Sequence, residues 1–256
     1  MAERMRCVGV VVVAAASMTT VGLLNADEEH HWSYKGATGP SHWAAMEHDY
    51  AACGVGKTQS PIDIEDSVAK KSDLPPIAFD YKPSPLKIVD NGHTVQVIYA
   101  PGSTITVAGE QYELVQFHFH KPSEEKINGK PADMVVHLVH RDRDGKLAVV
   151  AVLLQAGAAN QLIDTLWMNV PKEKEKETDV PGVQVNAAEL LPADKVDYYT
   201  FAGSLTTPPY SEGVTWFVLK AHTTISKDEI ASFGKLYPMN ARPTQAVNGR
   251  EIRATK

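Results

Sequence analysis

Cysteine is scarce in this chain, two among 256 residues, too few for a cysteine-built structural zinc site. Positive charge is short as well. Lys and Arg number 25 against 31 Asp and Glu, and a formal net charge of −6 makes nucleic acid a poor partner. No P-loop, dinucleotide fingerprint or Gly-x-Ser-x-Gly elbow occurs, so no motif points to nucleotide binding or serine hydrolysis. No internal repeat recurs and no Gly/Ser linker divides the chain, so one domain is the economical organisation.

Long apolar runs are nearly absent too, with one exception. Residues 1–26, MAERMRCVGVVVVAAASMTTVGLLNA, open with Arg4 and Arg6, stay apolar from Cys7 to about Leu24 and close on the small-residue pattern LNA. This predicts a secretory signal peptide cut after Ala26, with a single membrane anchor as the alternative; the residues before Cys7 do not make a lipoprotein site. The mature domain, residues 27–256, is then expected in the periplasm or outside the cell, with no stable membrane anchor. Loss of Glu3, Arg4 and Arg6 leaves it one charge more acidic than the whole chain. It keeps Cys53 alone, as a buried inert thiol or as a bridge between two copies in a homodimer.

What the chain does have is β signal. Turn pairs at Asn91-Gly92, Pro101-Gly102, Ala108-Gly109, Asn128-Gly129 and Asp144-Gly145 separate alternating runs: HTVQVIYA, STITVA, QYELVQFHFH, ADMVVHLVH and KLAVVAVLLQ. A meandering, mostly antiparallel twisted sheet with short flanking helices follows. The clearest helix is SKDEIASFGKLY, where Ser226 and Glu229 have capping-box spacing and Ile230, Phe233 and Tyr237 share a face. A second is expected in NQLIDTLWMNV, and PKEKEKETDVPG is expected to be a solvated loop.

Chemistry gathers at LVQFHFHKPSEE. Residues two apart on a strand project from one face, so His118 and His120 stand side by side while Phe117 and Phe119 point into a core. The Asn128-Gly129 turn lets the next run return beside them, bringing His137 to the same face and leaving His140 on the other. Three neutral nitrogen donors and an open fourth position make a catalytic rather than a structural zinc site. A cupin-like oxygen-chemistry enzyme is the rival, since HFHKPSE fits its first motif, but its second motif does not follow.

Nine blocks in order extend this reading: HHWSYKGATGPSHW from residue 30, QSPIDI from 59, DNGH from 90, QFHFH from 116, PSE from 122, HLVH from 137, SLTTPP from 204, SEGVTW from 211 and NARPTQ from 240. Across nearly the whole mature chain the sequence resembles an alpha-class carbonic anhydrase of the exported bacterial kind. The resemblance implies a Zn2+ ion on His118, His120 and His137, and reversible hydration of carbon dioxide to bicarbonate and a proton by zinc-bound hydroxide. The water pKa of about 7 that makes this possible is the value known for carbonic anhydrases themselves. It also implies that Thr206 aims the attacking oxygen with Glu124 behind it, and that His93 relays the proton with a pKa near 7. Val139, Val149, Leu205, Thr207, Val214 and Trp216 would form the substrate pocket; Gln116 and the backbone carbonyl of Asn240 would accept from His118 and His120. Taken singly, these residues read as core, turn or surface. Esterase activity and inhibition by sulfonamides or anions are implied as well. A catalytically dead binding module and a periplasmic zinc-binding protein are the alternatives, and the presence of all three histidines with Thr206, Glu124 and His93 favours the enzyme.

Two departures stand out. The family places a glutamate two residues before the third zinc histidine, and here that residue is Val135. His137 is therefore expected to lack its acceptor, with Asp133 the nearest substitute, at a cost of roughly 10 to 100-fold in metal affinity or activity. Exported relatives also bridge a cysteine at the place of Cys53 to one just after the TTPP block, where this chain has Tyr210. Loss of that staple is expected to cost about 2 to 4 kcal/mol.

Overall fold

A computed structural model describes residues 31–256; the expected signal peptide lies outside the described residues. The early strands are β1 (Asp63–Ile64), β2 (Lys70–Ser72), β3 (Ala78–Asp80), β4 (Ser84–Asp90), β5 (Val95–Ile98) and β6 (Thr104–Val107). The middle of the chain supplies β7 (Glu110–His120), β8 (Lys126–Ile127), β9 (Lys130–Pro131), β10 (Met134–Arg141) and β11 (Leu147–Ala156). Then come β12 (Thr178–Val185), β13 (Tyr198–Ser204), β14 (Glu212–Leu219), β15 (Thr223–Ile225) and β16 (Arg253–Thr255). Four short α-helices accompany them: α1 (Trp43–Met46), α2 (Ala52–Val55), α3 (Gln161–Met168) and α4 (Lys227–Leu236).

The main sheet runs β12-β4-β5-β7-β10-β11-β14-β13-β16-β2, with β3, β6 and β15 added beside it. Most neighbours are antiparallel, as expected, but β11 pairs parallel with β14 and with β15, and β16 pairs parallel with β2. Asn128 and Gly129, at φ 51° and 78°, make the expected tight turn between β8 and β9. In the charged stretch the structure differs from expectation. Thr178 and Asp179 pair with β4, pairing breaks around Pro181-Gly182, and it resumes at Gln184. Proline has no N–H to give the ladder, so the break falls where the chemistry requires it.

β10 is buried along its length up to Arg141, and its side chains sort by parity. Met134, Val136 and Leu138 join Phe117, Phe119, Val150, Val152 and Leu154 in one apolar cluster. Val135 and Val139 join Val149, Ala151, Leu153, Val214, Trp216 and Val218 in another. Helices α3 and α4 cover the first cluster. Leu162, Ile163 and Leu166 of α3 and Phe233 of α4 are buried in it. Ser226 and Glu229 form the expected capping box, and Glu229 also accepts from Asn160 N, the cap residue of α3, at 2.9 Å. Tyr237 falls just past the helix end but still packs in the cluster.

A third, smaller cluster forms where the N-terminal segment meets the loop after β13: Tyr34, Trp43 and Tyr210, with Trp32 and Cys53 packed against them. Arg242 lies buried here over the Tyr210 ring, 4.7 Å from its centre. Its guanidinium donates to Gln59 Oε1 at 2.9 Å, to Ser60 O at 2.7 Å and to Cys53 Sγ at 3.0 Å. Cys53 is the one cysteine among the described residues, and it is free.

Candidate metal centre

β7 and β10 pair with His118 directly opposite His137 and His120 opposite Val135. This register sets three imidazoles on the face that carries the Val135 cluster, with ring centres 4.8 to 5.4 Å apart. Their nearest nitrogens all lie within 4.8 Å of one another. His140, beyond a register shift after Val139, leaves that face and meets the Tyr81 hydroxyl at 2.8 Å through Nε2.

Each imidazole is tied at its outer nitrogen. His118 Nδ1 donates to Gln116 Oε1 at 2.8 Å, and His120 Nδ1 donates to the backbone carbonyl of Asn240 at 2.7 Å. His137 is tied at the other end of its ring, where Nε2 meets Glu125 Oε2 at 3.1 Å. The expectation that His137 lacks an acceptor is therefore overturned. Val135 has no such group, Asp133 is engaged with Ala156 N at 2.8 Å, and the carboxylate comes instead from the loop after β7. Glu125 was not among the sequence candidates; its one signal is that it doubles Glu124.

The inner nitrogens, Nε2 of His118, Nε2 of His120 and Nδ1 of His137, converge. His120 Nε2 is buried without a hydrogen-bond partner. Orphaned buried nitrogens are rare because each costs desolvation free energy, and three converging neutral donors fit a borderline-soft dication such as zinc. Burial holds the His118 imidazole neutral down to about 3, with His137 adding to the effect, and drives His120 well down for the same reasons. For His137 burial pulls the same way, but Glu125 and then Glu124 outweigh it and the net direction is up.

Glu124 is also fully buried. Its Oε1 accepts from Arg242 N at 2.7 Å, and its Oε2 sits 3.4 Å from His120 Nε2 and 3.9 Å from His137 Nδ1. Burial lifts this carboxyl to about 7, while His137, the Arg242 N–H and the adjacent Thr206 hydroxyl favour its charged form. Thr206 is itself buried, though Oε2 of Glu124 receives no regular hydrogen bond. Val139, Val149, Val214 and Trp216 are buried together beside the histidines, with Leu205 packed against them and the Trp216 ring 4.9 Å from that of His137. Thr207 is half-buried, its carbonyl accepting from Tyr210 N at 2.9 Å.

His93 follows the Asn91-Gly92 turn and stacks on Trp32 at 3.6 Å, with His31 edge-on at 4.8 Å. Burial, and then the neighbouring His31 and Lys174, push its pKa down to about 4 rather than the 7 expected. A separate cleft of about 980 Å³, lined by Glu110, Glu113, Arg141 and Asp142 among others, is polar and holds no histidine.

The eukaryotic-type carbonic anhydrase family matches residues 38–256. A carbonic anhydrase of Nostoc sp. is 40% identical over 227 residues, 87% of this chain and 85% of its own. Among solved structures, the alpha-carbonic anhydrase of Thermovibrio ammonificans, in complex with the inhibitor sulfanilamide, superposes with a TM-score of 0.84 at 38% identity, covering 87% of this chain and 98% of that one. A hyperthermostable carbonic anhydrase from an active hydrothermal vent chimney superposes equally well, TM-score 0.84, at 44% identity over 88% of this chain and 100% of its own. With its sheet, its clustered histidines and these relatives in agreement, the chain belongs to the alpha-carbonic anhydrase family and is an enzyme of that kind.

Proposed function

We propose that the enzyme hydrates carbon dioxide reversibly with one Zn2+ held by His118 Nε2, His120 Nε2 and His137 Nδ1. The convergence of those three nitrogens, each on a ring tied at its far end, carries the reading. Zinc bound there would supply Lewis acidity that makes hydroxide available from water near neutral pH. The chain's own residues do the rest. Gln116, the Asn240 carbonyl and Glu125 hold the three rings in the tautomers that free the inner nitrogens. Thr206, buried beside Glu124, would on donating to the ionised carboxylate be left able only to accept at its oxygen from the nucleophile, which would aim the attacking lone pair. Val139, Val149, Val214, Trp216 and Leu205 offer carbon dioxide an apolar wall.

His93 relays the departing proton to solvent. In its seat on Trp32 it is too weak a base at neutral pH, so the relay requires the ring to leave the stack and hydrate, which returns it toward its ordinary pKa of about 6.5. Activated esters are a secondary substrate class for the same nucleophile. Sulfonamides are the expected inhibitors, in line with the sulfanilamide complex of the Thermovibrio ammonificans relative. Export to the periplasm or medium rests on the pattern of residues 1–26.

Stopped-flow hydration of carbon dioxide on the mature protein, with zinc measured on the same sample, tests the proposal. Fast hydration at about one zinc per chain is the expected result. A folded, zinc-loaded protein without hydration would point to a binding module instead.

A further inference from the structure

Glu125 is fully buried, yet only one of its carboxylate oxygens is used: Oε2 meets His137 Nε2, and Oε1 has no partner. A buried carboxylate with one idle oxygen is costly unless a cationic centre stands behind the group it contacts. The loop holds it in place from both sides. Ser123 Oγ donates to the Glu125 carbonyl at 2.7 Å while accepting from Ala132 N at 2.8 Å, and β8, starting at the next residue, pairs parallel with β1. Glu124 and Glu125, adjacent in sequence, therefore address opposite ends of one imidazole: Nδ1 at 3.9 Å and Nε2 at 3.1 Å.

Position 135 offers a second seat for such a carboxylate. It lies two residues before His137 on β10, so its side chain leaves the same face of the strand, and it is filled by a fully buried valine within the apolar cluster beside the metal site. We propose that Glu125 is the positioning residue for His137, holding the proton on Nε2 so that Nδ1 faces the metal. Glu125 and position 135 are then interchangeable seats for one carboxylate, with the loop seat used here. The choice frees residue 135 to extend the dry wall that Val139 and Val149 begin. This inference rests on the zinc reading above.

The test measures zinc dissociation constants by chelator competition, with the rate of zinc loss as a second readout, on the folded enzyme and three variants. Folding of each metal-free variant is checked by circular dichroism. Glu125→Ala is expected to weaken zinc binding by about 10 to 100-fold. Glu125→Gln keeps the shape and an acceptor oxygen but not the charge, and is expected to fall between; it decides the matter if the alanine variant does not fold. Glu125→Ala combined with Val135→Glu is expected to regain most of the lost affinity. Wild-type affinity in folded Glu125→Ala or Glu125→Gln overturns the proposal, as does a loss that Val135→Glu leaves unrepaired. Failure of the wild type itself to bind one zinc per chain would instead overturn the zinc reading.

Discussion

Replacing Asn240 by alanine should damage both stability and metal retention, by amounts the structure sets. The side chain is fully buried and clasps three backbone groups: Oδ1 accepts from Lys121 N at 2.7 Å, and Nδ2 donates to His93 O at 3.0 Å and Phe119 O at 2.9 Å. Phe119 O keeps a second donor in Thr94 Oγ1, so truncation orphans two groups, the Lys121 N–H and the His93 carbonyl. Each fully buried orphan costs about 1 to 3 kcal/mol. Lys121 and His93 are only half-buried, so water reaches part of the gap and about 2 to 4 kcal/mol is expected in all. For a chain of this size each kcal/mol lowers Tm by about 2 to 4 °C, so Asn240→Ala should melt about 4 to 16 °C early. The same loop offers its carbonyl to His120 Nδ1, so zinc affinity should fall by about 10-fold, the low end for losing such a partner. Calorimetry of metal-free protein and competition titration of zinc separate the two effects. A Tm within about 2 °C of wild type would refute the clasp.

Thr206→Val keeps the shape and removes the hydroxyl; hydration should slow by about 10 to 100-fold with zinc content unchanged. Wild-type turnover in that variant would show that the hydroxyl does not aim the nucleophile. Acid should destabilise the fold through its buried histidines. Burial holds His140 neutral down to about 3 and, with His31 and Lys174, His93 down to about 4. Unfolded, both would take up a proton near the ordinary 6.5, so at pH 5 the unfolded chain binds more protons than the native one. Stability contributed above pH 6.5 is thus lost as pH falls toward those values. Urea midpoints at pH 7 and pH 5 should differ less for His140→Gln than for wild type, and equal differences would exclude His140 as a source of the lability.

The sequence placed the histidines well because strand parity is local: residues two apart share a face whatever the rest of the chain does. Gln116 was legible for the same reason, being one step further along β7. Glu125 was not, because a side chain in a loop takes its direction from tertiary partners. Here those are the Ser123 hydroxyl and the pairing of β8 with β1, more than sixty residues away in the chain. The parallel contacts of β11 with β14 were hidden likewise, since no hairpin turn announces a pairing across that separation. His93 was located by the family block DNGH that it closes, but its base strength depends on burial and on His31, and it stacks on Trp32, which no spacing rule reports.

The corner where Arg242 spans Tyr210, Gln59, Ser60 and the Cys53 thiol is closed by a cation, an aromatic ring and hydrogen bonds, with no sulfur-sulfur link. Folding of the described domain consequently needs no disulfide-forming oxidant and no disulfide isomerase, since it has no second cysteine with which Cys53 could pair inside the domain. Yield from a reducing cytosol should match yield from an oxidising compartment, and long service in thiol-rich media should leave this corner intact.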